Sequence, residues 1–148
     1  MLAVCGLIVA ADQASKGAIV ESLAPGERVD LLPGFDLTRV TNSGIAFGLL
    51  DESGDTLVLA ITIAALTAIA VWFAVDATRP GLWLGVGLLT GGALGNLVDR
   101  VRADAVTDFL DPVLWPAFNL ADVAITAGVV VIAMAALAGP ADPGPAEP

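Results

Sequence analysis

The sequence predicts an all-α membrane protein: four transmembrane helices with a small β element in the first long loop. Three observations predict it. Of 148 residues, 57% are hydrophobic and 15% charged, and the mean hydropathy is +0.86. A soluble domain carries about 25% charged residues. The apolar residues are gathered into runs of membrane-spanning length. The polar residues left among them cluster at the run ends that share one side. The length suits one domain, read here as residues 1–138. Residues 139–148 form a tail too rich in Pro and Gly to fold.

The first span runs from Met1 to about Val20. It is apolar to Ala11 and then carries Asp12 and Lys16, so its polar end sits at one interface. A cleaved signal peptide fits poorly, because no basic n-region precedes the apolar run. The abrupt apolar start leads to the expectation that a few residues precede Met1. Thr56 to Val75 is 20 residues without a charge, and Gly81 to Val98 is 18 without one. Phe118 to Leu137 is 20 residues with a single charge, Asp122. Each run can cross a hydrocarbon core of about 30 Å as a helix, and none shows the polar stripe of a helix in a soluble protein.

The connections differ in character. In the long loop from Glu21 to Asp55, apolar and polar residues alternate through Arg28–Leu32 and Phe35–Val40 around Pro33-Gly34. That pattern predicts two short strands joined by a turn. Asp76 to Pro80 is a tight helical hairpin, with Pro80 at a first helical position. Asp99 to Ala117 is the third connection. Four spans place the first and third connections on one side and both termini on the other. Five of the six basic residues fall on the long-loop side. A literal charge count would make that side cytoplasmic, but several of these residues lie beside acids in motif-like settings, so composition leaves the orientation open.

The net charge of −10 argues against a nucleic-acid partner. One cysteine and no histidine leave no Cys- or His-based metal site, so no metal or cofactor is expected. Cys5 reads as packing filler.

Polar groups at the edge of membrane helices are costly and mark function. Asp12 and Lys16 share a helical face, as do Asn96, Asp99 and Arg100, and again Asn119 and Asp122. Asp12–Lys16 also has a bland reading as a structural ion pair, Asp99–Arg100 as a helix anchor, and Gly91, Gly92 and Gly95 as packing residues. Asp51, Glu52, Asp55 and Asp104 read as solvated loop charges. Asp122, about six residues past Pro116, is placed roughly 9 Å along its helix. A loop aspartate, Asp108 or Asp111, can meet it near the interface, and spacing alone does not choose between them. Ser15 and Lys16 are adjacent and face apart, which leaves two carboxylates around one water as the hydrolytic device. One is ionised and acts as base; the other is protonated and polarises the carbonyl. A proton-conducting transporter is the competing reading, but its polar groups should run through the full depth. A membrane scaffold would leave Asp122 unexplained.

Five elements occur in order: Asp12-Gln13-x-x-Lys16, Asn42-x-Gly44-x-Ala46-Phe47, Gly95-Asn96-x-x-Asp99-Arg100, Val106-x-Asp108-Phe109 and Phe118-Asn119-x-Ala121-Asp122. Together they resemble the lipoprotein signal peptidase family, aspartyl endopeptidases of bacterial inner membranes, over nearly the whole chain. The resemblance implies that Asp108 and Asp122 are the catalytic pair. It implies that Asp12, Lys16, Asn42, Gly92, Asn96, Arg100 and Asn119 support the pair or hold substrate. It implies an outward-facing site and β element, and a prolipoprotein substrate cut before its diacylglyceryl-modified Cys. Membrane lipid is then the surrounding partner, and a monomer is expected.

Overall fold

The computed structural model describes residues 1–43, 64, 67, 69, 71–73, 79–112 and 114–138. Three helices are described from end to end: α1 (Leu2–Ser22), α2 (Leu82–Ala103) and α3 (Leu120–Ala138). All three are long and apolar enough to cross a membrane. The described positions of the Thr56–Val75 run are helical too. Among them Ile69, Trp72 and Phe73, together with Ile132 of α3, pack against a cluster of Leu82 and Val86 of α2 and Ala135 of α3. The rest of that run, the Gly44–Phe47 part of the second motif, the acids 51, 52 and 55, and the tail lie outside the described residues.

Burial in α1 is inverted relative to a soluble helix. Its only buried residues are Asp12 and Lys16, while Leu2 and Leu7 are exposed. Lipid solvates the apolar flanks, and the polar residues turn inward against α2.

Central in the bundle, α2 meets its neighbours through glycines. A Cβ on Gly87 or Gly91 would press on Val4 or Ile8 of α1, and one on Gly95 on Asp12. On the other face, a Cβ on Gly85 would meet Ile132, and one on Gly92 the Ala121 carbonyl. Small residues thus let backbones approach closely where no hydrophobic drive exists between helices. The packing reading of Gly91, Gly92 and Gly95 therefore holds.

Both expected strands form, as β1 (Arg28–Leu32) and β2 (Phe35–Asn42). They turn at Pro33-Gly34, where Gly34 adopts φ 83°, a value glycine accepts without strain. A third strand, β3 (Val106–Pro112), lies in what the sequence presented only as a connection. The sheet order is β1-β2-β3, all antiparallel. The free edge of β3 is closed by Phe118, which accepts from the Phe109 and Leu110 N–H groups and donates to the Leu110 carbonyl.

Two sequence expectations are corrected. Pro80 is not a first helical residue: α2 starts at Leu82 behind Gly81, whose φ of 77° ends the turn there. Asp122 does not sit two turns inside its helix. Phe118 is tied to β3, so α3 begins only at Leu120 and Asp122 falls in its first turn.

Candidate active site

Asn119 stands just before α3, in the N-cap position. Its Oδ1 accepts the Asp122 N–H at 3.1 Å, and Asp122 Oδ2 accepts the Asn119 N–H at 3.1 Å. This reciprocal capping box satisfies two N–H groups that helix starts leave unpaired. It also fixes the Asp122 carboxyl at the mouth of the bundle.

Strand β3 delivers the second carboxyl. Asp108 is buried, and its Oδ1 accepts Asn119 Nδ2 at 2.7 Å. Its Oδ2 accepts Asn42 Nδ2 at 2.9 Å from β2. Asn119 therefore holds Asp108 with its amide and Asp122 with its backbone. Burial lifts the Asp108 carboxyl above its ordinary range, and the charge of Asp122 pushes the same way. The Asn42 and Asn119 amides and the Lys16 ammonium oppose the rise.

Asp111 is placed elsewhere. It pairs with Arg28 of β1 at 2.8 Å, and no hydrogen bond among the described residues joins it to Asn42, Asn96 or Asn119. Among the described residues its Oδ2 has no partner of hydrogen-bond geometry, so the contact with Arg28 is an ion pair by distance. Of the two loop aspartates, Asp108 is the one linked to Asp122 through Asn119.

Beneath the pair lies a buried polar cluster. Lys16, 4% exposed, contacts Asp12 at 2.8 Å, Asp99 at 2.9 Å and Asn96 Oδ1 at 2.9 Å. Three acceptors match the three donors of an ammonium group. Because Asn96 Oδ1 accepts from Lys16 and Asn119, its Nδ2 is turned to Asp122 Oδ1 at 2.9 Å. Asp12 Oδ1 accepts the Ala121 N–H at 3.0 Å, which ties α1 to the first turn of α3.

The structure thus brings together Asp12, Lys16, Asn42, Asn96, Asp108, Asn119 and Asp122. Gly92 contributes the close approach of α2 to the Ala121 carbonyl. Arg100 is half-buried, and no hydrogen bond or ion pair reaches its guanidinium among the described residues. Asp104 is exposed and closes α2 at φ 53°. Sequence reasoning left Gln13 out of the site, and it placed Asp99 on the face of Asn96 and Arg100 without choosing between a helix anchor and a supporting role; spacing could not show the partners of either. An apolar cavity of about 530 Å³ opens beside Asp122, lined by Trp115, Phe118, Val123, Thr126 and Ala127.

Helices of membrane length with a bridged carboxyl pair at their mouth define a membrane endopeptidase of the aspartic type. The model of the family "Signal peptidase (SPase) II" matches residues 4–138. A lipoprotein signal peptidase of Pelotomaculum thermopropionicum is 40% identical over 136 residues, 90% of this chain and 89% of that protein. One of Moorella thermoacetica is 42% identical over 127 residues, 85% of each. A solved bacterial membrane enzyme superposes with a TM-score of 0.80 at 33% identity, covering 90% of both chains. The chain belongs to the signal peptidase II family.

Proposed function

We propose that this chain removes signal peptides from lipoprotein precursors, with Asp108 and Asp122 as its catalytic pair. The observation that carries the reading is Asn119, which binds Asp108 through its amide and Asp122 through its backbone. Asp108, whose burial favours the neutral form, is the protonated partner, and Asp122 is the ionised base. Asp122 takes a proton from a water as the water oxygen attacks the scissile carbonyl, and Asp108 donates its hydrogen to the carbonyl oxygen. The tetrahedral intermediate then collapses: one of its hydroxyls returns a proton to Asp108, the C–N bond breaks, and the new amine leaves with the proton held by Asp122.

The substrate in this reading is a diacylglyceryl-modified precursor, cut just before the modified Cys. Its acyl chains confine it to the bilayer plane, so a pair at the interface meets the bond without extracting the lipid. The reading takes the chain as a monomer with four spans. Both termini are cytoplasmic, and residues 21–55 and 99–117 are outside. Residues 1–138 act as one unit without the tail.

The test is incubation of the purified protein with a lipid-modified lipobox peptide, read by mass spectrometry. Cleavage before the modified Cys, lost in Asp108→Asn and Asp122→Asn, is expected. Substantial turnover by either variant would overturn the assignment. Reporter fusions in the long loop and at the C-terminus test the topology, and a cytoplasmic long loop would contradict it.

A further inference from the structure

Thr107 immediately precedes Asp108. The N–H groups of β3 that point away from β2 need other partners, and that of Thr107 is met by Asp99 Oδ2 at 3.3 Å. The same carboxyl accepts Lys16 at 2.9 Å and, through Oδ1, Gln13 Nε2 at 2.8 Å. Gln13 also donates to the Gly95 carbonyl at 3.2 Å and to Asp12 Oδ2 at 3.3 Å. Asp99 therefore ties α1, α2 and the catalytic strand together at one carboxyl, 12% exposed.

We infer that Asp99 is a positioning residue: it sets the height of β3 under Asp108 and balances the Lys16 charge that faces the catalytic pair. The inference rests on the reading of Asp108 and Asp122 given above. Two routes lead from Asp99 to the chemistry. One is mechanical and runs through the Thr107 N–H to the next residue. The other is electrostatic. Lys16 has two carboxylate partners, Asp12 and Asp99, and its charge acts on Asp108. Among the described residues, the charged groups that act on Asp108 are Asp122 from α3 and Lys16 from α1, and Asp12 from α1 and Asp99 from α2 flank that Lys16. From β2 it receives the neutral Asn42, and Asp111 farther along β3 is already paired with Arg28. Removing the charge of Asp99 leaves Asp12 as the one carboxylate on Lys16 among the described residues, beside the neutral Asn96. The excess positive field then favours ionised Asp108, so the acid is lost at lower pH.

The experiment compares wild type with Asp99→Asn and Asp99→Glu in pH–rate profiles on a lipopeptide, with folding followed by tryptophan fluorescence. In Asp99→Asn, which keeps an acceptor but not the charge, the alkaline limb of kcat should move down by roughly half a pH unit. In Asp99→Glu, which keeps the charge on a longer arm, that limb should stay in place. Its kcat should fall roughly tenfold or more, because a displaced strand misplaces the acid, while KM changes little. An Asp99→Asn enzyme with wild-type kcat and an unmoved limb overturns the inference. If Asp99→Asn does not fold, Asp99→Glu decides, and wild-type kcat there overturns it. Retained cleavage in Asp108→Asn would instead sink the underlying assignment, so the two failures are distinguishable.

Discussion

Asn119 and Asp122 cap each other, the side chain of each accepting the backbone N–H of the other at 3.1 Å. The box makes the start of α3 and the placement of a reactive carboxyl one structural event. Loss of the Asn119 side chain should therefore have two separable consequences. Asn119→Ala should lose the cap, at a cost of about 1 kcal/mol, and the amide donor to Asp108. Asn119→Ser should recover most of the stability, because serine caps helices well, without recovering turnover, because it cannot span both carboxyls. Denaturation midpoints beside kcat check this. Equal recovery of both would show that the bridge has no part in turnover.

The two loop aspartates should separate by function. Asp108→Asn should lower turnover by at least about a thousandfold, in keeping with loss of a general acid. Asp111→Asn should retain most of it, since Asp111 pairs with Arg28 and touches none of the catalytic amides among the described residues. The Arg28 side chain is 61% exposed, so the broken pair should cost no more than about 1 kcal/mol. Initial rates and unfolding midpoints of both variants are the measurement.

Glycine replacements in α2 should rank by what the added methyl meets. At Gly95 it would come within 2.6 Å of Asp12 Oδ2, an atom held by Lys16 and Gln13. At Gly92 it would collide with the Ala121 carbonyl and lie 2.8 Å from Ile125. Backbone yields less readily than a side chain, so Gly92→Ala should destabilise more than Gly95→Ala. Each should cost about 1–3 kcal/mol, as overpacked sites do. Gly26→Ala is the contrast: its Cβ would meet nothing within 4 Å among the described residues, but its φ of 79° makes alanine strained. Thermal unfolding in detergent ranks all three.

Protonation should shape both rate and stability. Burial lifts the Asp108 carboxyl, and Asp122 adds to the rise. Activity needs one proton on the pair, so it should follow a bell in pH whose two limbs belong to the pair jointly. For stability the sign follows from linkage. The folded chain holds the Asp108 proton more tightly than the unfolded chain, so wild-type stability should fall as pH rises from the ordinary carboxylate value through the lifted one. Asp108→Asn cannot titrate there, so its stability relative to wild type should rise across that window. Chelators should leave the pH–rate profile unchanged. Inhibition by chelator, reversed by added metal, would favour a carboxylate metal site instead of the water held by two carboxyls.

The placement of α1, α2 and α3 and the order of the motifs belong to the sequence. The 18-residue run without a charge from Gly81 to Val98 has few soluble alternatives, and alternation around Pro33-Gly34 is a local signal, so both were legible in one dimension. The tertiary structure decided the partners. Asn42 and Asp108 are 66 residues apart, and Asp12 and Ala121 are 109 apart, and spacing carries no information about such pairs. Asp108 and Asp111 are near-equivalent acids along the chain. They differ because the antiparallel sheet sets Asp108 beside Asn42 and Asn119, and Asp111 within reach of Arg28. The depth of Asp122 was misjudged for the same reason. The backbone bonds of Phe118 to β3 hold the chain out of helix until Asn119, and such pairing depends on a strand that periodicity over seven residues did not announce.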